Sequence, residues 1–244
     1  MNYKKIIEKL ESLKNPKNIE GMARFGIRPK TKVYGVPVPE LRKIAKIIKK
    51  VPKRAEDAPG SRSQSDLGNH ELALKLWDSE IHEARILAGM LADSEKMTVN
   101  QIKKWASGFD SWDVCDQACM NLFAESKAAK NQIPKFTKSK EEFVKRTAFA
   151  LMAALAVRDK KMKDKDFMDF FSLIKKAATD ERNFVKKSVN WALRQIGKRN
   201  KKLNKEAIKL AFQLRSGQTK SEKWIGSDAL IELTSGNVQR KFEN

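Results

Sequence analysis

Nearly every stretch of this chain spaces its apolar residues three or four positions apart, a pattern that admits little besides amphipathic helices. Short polar joints, several with Gly or Pro, break the pattern into segments, so the chain reads as all-α. Helices are predicted near 3–14, 16–25, 39–50, 69–77, 79–92, 98–107, 111–126, 139–157, 164–178, 183–198, 203–215 and 220–235, with ends good to about two to four residues. Only Lys32 to Val38 alternates like a strand, and Gly35, Pro37 and Pro39 interrupt it. It reads as an extended connector into a helix with Pro39 near its start.

Short helices with no long one to organise a bundle suggest antiparallel pairs stacked as a solenoid of two-helix repeats. The letters carry no strict period, so a compact irregular helical domain is the other architecture the pattern allows. Residues 53–69, KRAEDAPGSRSQSDLGN, are rich in Gly, Pro and Ser and poor in large apolar groups. They are predicted to form a mobile surface loop within a single domain spanning 1–244.

The chain of 244 residues carries 51 Lys and Arg against 30 Asp and Glu, a formal charge of +21. Such an excess repels itself in a compact state and concentrates polyanions, so it points to nucleic acid, an anionic membrane surface or an acidic partner. Cys115 and Cys119 are the two cysteines and His70 and His82 the two histidines. That rules out a disulfide framework and supplies no zinc ligand set, so no metal is expected. Lys4, Lys5, Glu8, Lys9 and Glu11 leave no secretory core near the N-terminus. The longest uncharged run, Thr147 to Val157, falls short of the roughly 20 residues a membrane span needs. A soluble, reduced, intracellular protein without a membrane partner is expected.

Three segments place reactive groups off their apolar faces. At about 100° per residue, NFVKKSVNWALRQIGK (183–198) puts Val185, Val189, Ala192, Leu193 and Ile196 on one side and Lys187, Trp191, Arg194 and Lys198 on the other. Trp191 then either contacts sugar or base while the cations bind phosphates, or packs on a neighbouring helix. In FDSWDVCDQACMNLF (109–123), Asp110 or Ser111 caps a helix whose core stripe is Val114, Ala118 and Leu122 and whose wet side is Asp113, Gln117 and Asn121. Trp112 and Asp116 sit on the seam. Asp116 is either a stabiliser of developing positive charge in a partly dry groove or a surface acid paired with a lysine.

FVKRTAFALMAALAV (143–157) is apolar nearly all round after Arg146, so its helix is predicted central and buried. Arg146, near the first turn, needs an internal acid or a phosphate as partner. Cys115 and Cys119 read as small residues at the edge of the core, and His82, beside Glu83 and Arg85, either as a base or, the commoner case, as a solvated histidine on a polar face. No Walker loop, dinucleotide fingerprint, Ser/His/Asp ordering or zincin motif occurs.

With these residues in view, the chain resembles the AlkD family of DNA alkylation-repair proteins, which are HEAT-like-repeat DNA glycosylases. The blocks that carry the resemblance are GMARFGI (21–27), KVYGVPVPELRKIAK (32–46), LWDSEIHEARILAGML (76–91), SWDVCDQ (111–117), VKRTAFALMAALA (144–156) and FVKKSVNWALRQIGKRN (184–200). The resemblance implies a right-handed superhelix of paired antiparallel helices whose basic concave face clasps duplex DNA. It also implies removal of cationic alkylated purines such as 3-methyladenine and 7-methylguanine, without metal or cofactor and without flipping the base into a pocket. The family's aromatic, acid, basic and aromatic set carries over as Trp112, Asp116, Arg146 and Trp191. Asp116 would stabilise the sugar cation and position water, the two indoles would hold the sugar, and Arg146 would anchor a flanking phosphate.

Arg24, Lys145, Lys186, Lys187, Arg194 and Lys198 are expected to form a phosphate-binding surface. Met22 and Arg24 occupy the stretch where the family carries an N-terminal groove tyrosine, and no aromatic is placed there. The expected partner is double-stranded DNA with alkylated bases, met by a monomer with no obligate protein partner. Two other functions fit the helical pattern: a non-catalytic binder of distorted or branched DNA using the same groove, and a protein-interaction scaffold, which leaves the charge unexplained.

Overall fold

A computed structural model of the chain describes residues 1–50 and 68–242. Its helices run α1 (Tyr3–Ser12), α2 (Pro16–Arg24), α3 (Val38–Lys50), α4 (Asn69–Trp77), α5 (His82–Leu91), α6 (Val99–Gly108), α7 (Trp112–Ala118), α8 (Lys127–Lys130), α9 (Ile133–Phe136), α10 (Glu142–Arg158), α11 (Asp164–Ala177), α12 (Asn183–Gly197), α13 (Lys201–Arg215), α14 (Lys220–Leu233) and α15 (Gly236–Gln239). Side chains set many of the starts. Asn2, Asn15 and Asn200 each accept from the backbone N–H three residues on, Pro16 follows Asn15, and Thr219 forms a reciprocal cap with Glu222.

The all-α expectation holds, and among the described residues the one β-type contact is an isolated bridge between Lys32 and Ile81. That bridge moves a predicted boundary. Lys32 N donates to Glu80 O at 3.0 Å and His82 N to Lys32 O at 2.8 Å, so α5 starts at His82 rather than near residue 79. The helix predicted over 111–126 is α-helical only to Ala118 and continues as a π turn, Cys119–Phe123. There the Asn121 side-chain amide takes the Gln117 carbonyl at 2.7 Å, competing with the backbone ladder. α8, α9 and α15, four residues each, are too short to show a period and were not predicted. The loop predicted over 53–69 lies outside the described residues except for Gly68 and Asn69, and Asn69 opens α4.

Two compact units make up the fold: Met1–Thr98 with Asp110–Leu122, and Val99–Phe109 with Phe123–Asn244. In the first, all ten residues of α5 are buried. Past the Lys32 bridge, three successive backbone donors of the connector before α3 are met by one buried carboxylate. Glu83 accepts from Tyr34 N, Gly35 N and Val36 N, at 2.6 Å from Gly35. Gly35 has φ +76°, and a Cβ there would stand 2.4 Å from Asn15 O, so only glycine fits.

In the second unit α10, α12 and α14 lie side by side as one layer, with α11 and α13 forming another against them. α10 is buried from Ala148 to Ala156 without interruption, as an apolar helix between neighbours must be. The predicted stripe of α12, Val185, Val189, Ala192, Leu193 and Ile196, is fully buried. α13 and α14 meet at Gly226, where a Cβ would lie 2.2 Å from Arg215 N and 2.5 Å from Ala211 O. Since those atoms are helix backbone and cannot swing aside, Gly226→Ala is expected to destabilise the protein by about 1–3 kcal/mol. Gly21→Ala, with nothing within 4 Å, should be neutral or stabilising. Thermal unfolding of both variants checks this, and equal midpoints would contradict the close approach.

Candidate nucleic-acid interface

The entry to α7 is tied down residue by residue within the first unit. Asp110 Oδ2 accepts from Lys30 N at 2.8 Å and Thr31 N at 3.2 Å, and its Oδ1 stands 3.9 Å from Arg85 Nη1. Ser111 is the cap residue, but its hydroxyl bonds the Asp113 carboxylate instead of a backbone donor. Trp112 Nε1 donates to Phe25 O at 3.1 Å. Asp113 Oδ2 pairs with His82 Nε2 at 2.8 Å.

Two sequence expectations need correcting here. His82 is not solvated; it is 1% exposed on the first turn of α5. Asp113 is not on a wet side either, since its side chain keeps only 15% of its exposure and turns to His82. An isolated imidazole on a polar stretch looks solvated in sequence because the acid that buries it stands 31 residues away. Burial works against the imidazolium, but the hydrogen bond and charge of Asp113, with Glu83 and Asp110 nearby, outweigh it and raise the His82 pKa. Burial likewise pushes the Asp113 carboxyl up, and His82 and the Ser111 hydroxyl more than reverse that, leaving it lowered.

Beyond this first turn α7 is two-faced. Val114, Cys115, Ala118, Cys119 and Leu122 are buried to 1% exposure or less, so the cysteines belong to the core rather than its edge. Trp112 and Asp116, one turn apart, are both partly exposed. Arg24 is exposed at the end of α2. Next to it Phe25 is 76% exposed, an aromatic that sequence reading passed over. The available signal was its place between the helix end and a glycine, Gly26, which has φ +76° in the structure.

The other predicted residues belong to the second unit. Trp191 is partly exposed on α12. Gln195, in the amide orientation its neighbours require, accepts from Trp191 Nε1 at 3.2 Å and Lys198 Nζ at 3.1 Å. Arg194 binds Glu232 at 2.6 Å and Asp228 at 3.4 Å, and Lys198 shares Glu232. Lys145 pairs with Asp180 at 2.8 Å. Burial raises the Asp180 carboxyl, but Arg182 and Lys145 hold it well below the usual carboxylate range. Thus Lys145, Arg194 and Lys198 have their charge met by acids of their own unit. Lys187 is exposed, and Lys186 lies 5.5 Å from the Trp224 ring centre. Arg146 is 5% exposed and donates from Nη1 to Phe184 O at 2.6 Å.

The family model for DNA alkylation repair enzymes matches residues 6–223. The chain belongs to this family. No curated protein matches it. A solved structure described as "a new family of proteins related to the HEAT-like repeat DNA glycosylases with affinity for branched DNA structures" is similar, with a TM-score of 0.71 and 19% identity over 93% of this chain and 94% of that one. A designed armadillo repeat protein is a more distant likeness, at TM-score 0.38 and 18% identity over 80% of this chain and 92% of that one. The first likeness assigns the HEAT-like-repeat fold, the two-helix architecture read from the sequence in place of an irregular helical domain. Among the described residues no helix is long and apolar enough to cross a membrane.

The His82–Asp113 pair gives stability a pH signature in this repair-family protein. Because His82 is raised from 6.5, its contribution is complete below that value and is lost as pH climbs through the folded-state pKa. Because Asp113 is lowered from 3.8, its contribution is complete above that value and is lost in acid. Stability from the pair is therefore greatest between the two. Urea unfolding at about pH 5.5 and about pH 8.5 should show the wild type losing more stability with rising pH than His82→Gln. Equal losses would contradict the assignment.

Proposed function

We propose that this protein hydrolyses the N-glycosidic bond of cationic alkylated purines, 3-methyladenine and 7-methylguanine, in duplex DNA, acting as a monomer without flipping the base. The observation that carries the reading is the pairing of Trp112 with Asp116 on α7. The two are partly exposed on a helix whose other face is sealed, in a chain of the alkylation-repair family. Alkylation turns the purine into a cationic leaving group, so the bond breaks toward a sugar oxocarbenium ion, as in glycoside hydrolysis. Asp116 would stabilise that cation and orient the attacking water. Trp112, its N–H engaged by Phe25 O, would present a fixed ring to the sugar.

By the family resemblance, Trp191 would hold the sugar and Arg146 would act toward a flanking phosphate. Being largely buried and bonded to Phe184 O, Arg146 would act as a fixed charge instead of a swinging contact. Phosphate attraction would fall chiefly to Arg24, Lys186 and Lys187, which have no acid partner among the described residues. Lys145, Arg194 and Lys198 would contribute less.

Asp116→Asn is expected to keep duplex affinity and slow single-turnover release of 7-methylguanine by ~10²-fold or more. A near-normal rate would overturn the reading. For the cations, Lys187→Ala should flatten the dependence of log affinity on log salt by about one unit. Lys145→Ala, whose charge Asp180 already meets, should leave it nearly unchanged. Equal slopes for the two variants would contradict the division of labour.

The similar structure's own description, with its affinity for branched DNA, favours a second reading in which the basic surface binds junctions without breaking a glycosidic bond. Retention of a four-way junction in preference to duplex, with no base released from methylated DNA, would select it.

A further inference from the structure

Within the second unit the C-terminal ends of α10 and α12 border a cavity of about 790 Å³ that the proposed chemistry does not use. Lys160, Lys163, Lys198, Arg199 and Lys241 line it, with Asp164 the one acid. Lys198 is set against Glu232, but the others are not cancelled in this way. Arg199 is held by neutral groups: it donates to Ala156 O and Met162 O at 3.1 Å each, and its guanidinium lies 4.6 Å from the Phe167 ring centre. Lys160, Lys163 and Lys241 are exposed. Asp164 accepts from Asn200 Nδ2 at 2.8 Å. Four uncompensated cations therefore surround one hydrogen-bonded carboxylate, and an anion entering the cavity is attracted.

The rim is hydrogen-bonded and partly apolar. Asp159 Oδ1 accepts from Lys161 N and Met162 N, while its Oδ2 pairs with Lys130 at 2.8 Å, fixing the turn between α10 and α11. Lys163 precedes α11 without a side-chain cap bond, and its carbonyl accepts from Asp166 N at 3.1 Å. Val157, 38% exposed, and Met162 add apolar wall that a sugar or base can cover. Gln195 also lines the cavity, and it is the residue that accepts the Trp191 indole N–H.

We propose that this cavity is a second phosphate site, taking the backbone of a DNA strand that runs on from Trp191. Gln195 and Lys198 lie about 6 and 10 Å along the helix axis from Trp191, which is two to three nucleotides of a strand at about 3.4 Å each. The inference rests on the DNA-binding part of the proposed function and not on catalysis. It assigns binding to Lys160, Lys163, Arg199 and Lys241, none of which belongs to the proposed catalytic set.

The test is the salt dependence of affinity for a 7-methylguanine duplex, measured for wild type and for the combined Lys160→Gln, Lys163→Gln, Lys241→Gln variant. The expected result is a slope flatter by roughly two units, with single-turnover excision at saturating protein within about twofold of wild type. A parallel titration of each protein with inorganic phosphate alone separates the two sources of the same chemistry. Phosphate binding lost in the variant, with an unchanged DNA slope, would make this a free-phosphate site and overturn the strand assignment. An unchanged slope with no phosphate binding overturns it altogether. Failure of the glycosylase reading shows elsewhere, as excision indifferent to Asp116→Asn, and leaves the slope result standing.

Discussion

The buried polar first turn of α5 is the constraint on which the first unit turns. Taking an imidazole and a carboxylate out of water is costly unless their charges are met, and here the partners come from other segments of the unit. Glu83 gathers the amides of Tyr34, Gly35 and Val36, and His82 holds Asp113. Arg85, over the Trp77 ring at 4.9 Å, stands near Asp110. One helical turn therefore fixes both the connector into α3 and the entry to α7, and with it the direction in which Trp112 and Asp116 leave the backbone.

The second unit is organised by apolar surface instead. α10 is buried on all sides, and α12 seats its stripe against the same core, which leaves Trp191 and the basic strip on the remaining side. Around that strip the formal charge of +21 is not uniformly available. Asp180, Asp228 and Glu232 neutralise Lys145, Arg194 and Lys198, while Arg199 is held by carbonyls and a ring and keeps its field. A lysine with a carboxylate already at hydrogen-bond distance releases little when a phosphate arrives. An uncompensated cation gains the whole interaction.

Much of this was legible in the sequence. The faces of α12 and α7 followed from helical geometry, and the residues assigned to the buried stripes are buried. Trp112, Asp116 and Trp191, placed off those stripes, are partly exposed. Missed were features with no period to read: the four-residue helices, the π turn after Ala118 and the exposed ring of Phe25. The reading of His82 failed for a different reason. Its solvation was inferred from its own segment, whereas its burial depends on another.

By itself the sequence determined the helices, their buried sides and the sign of the surface, because a period of about 3.6 residues and a sum of charges are local or additive properties. Only the tertiary structure decided which charges are spent on one another and which remain for a ligand. His82 meets Asp113 across 31 residues, Lys145 meets Asp180 across 35, and Arg194 meets Glu232 across 38. Electrostatic pairing follows distance in space, and that distance is set by how helices far apart in the chain come to lie side by side.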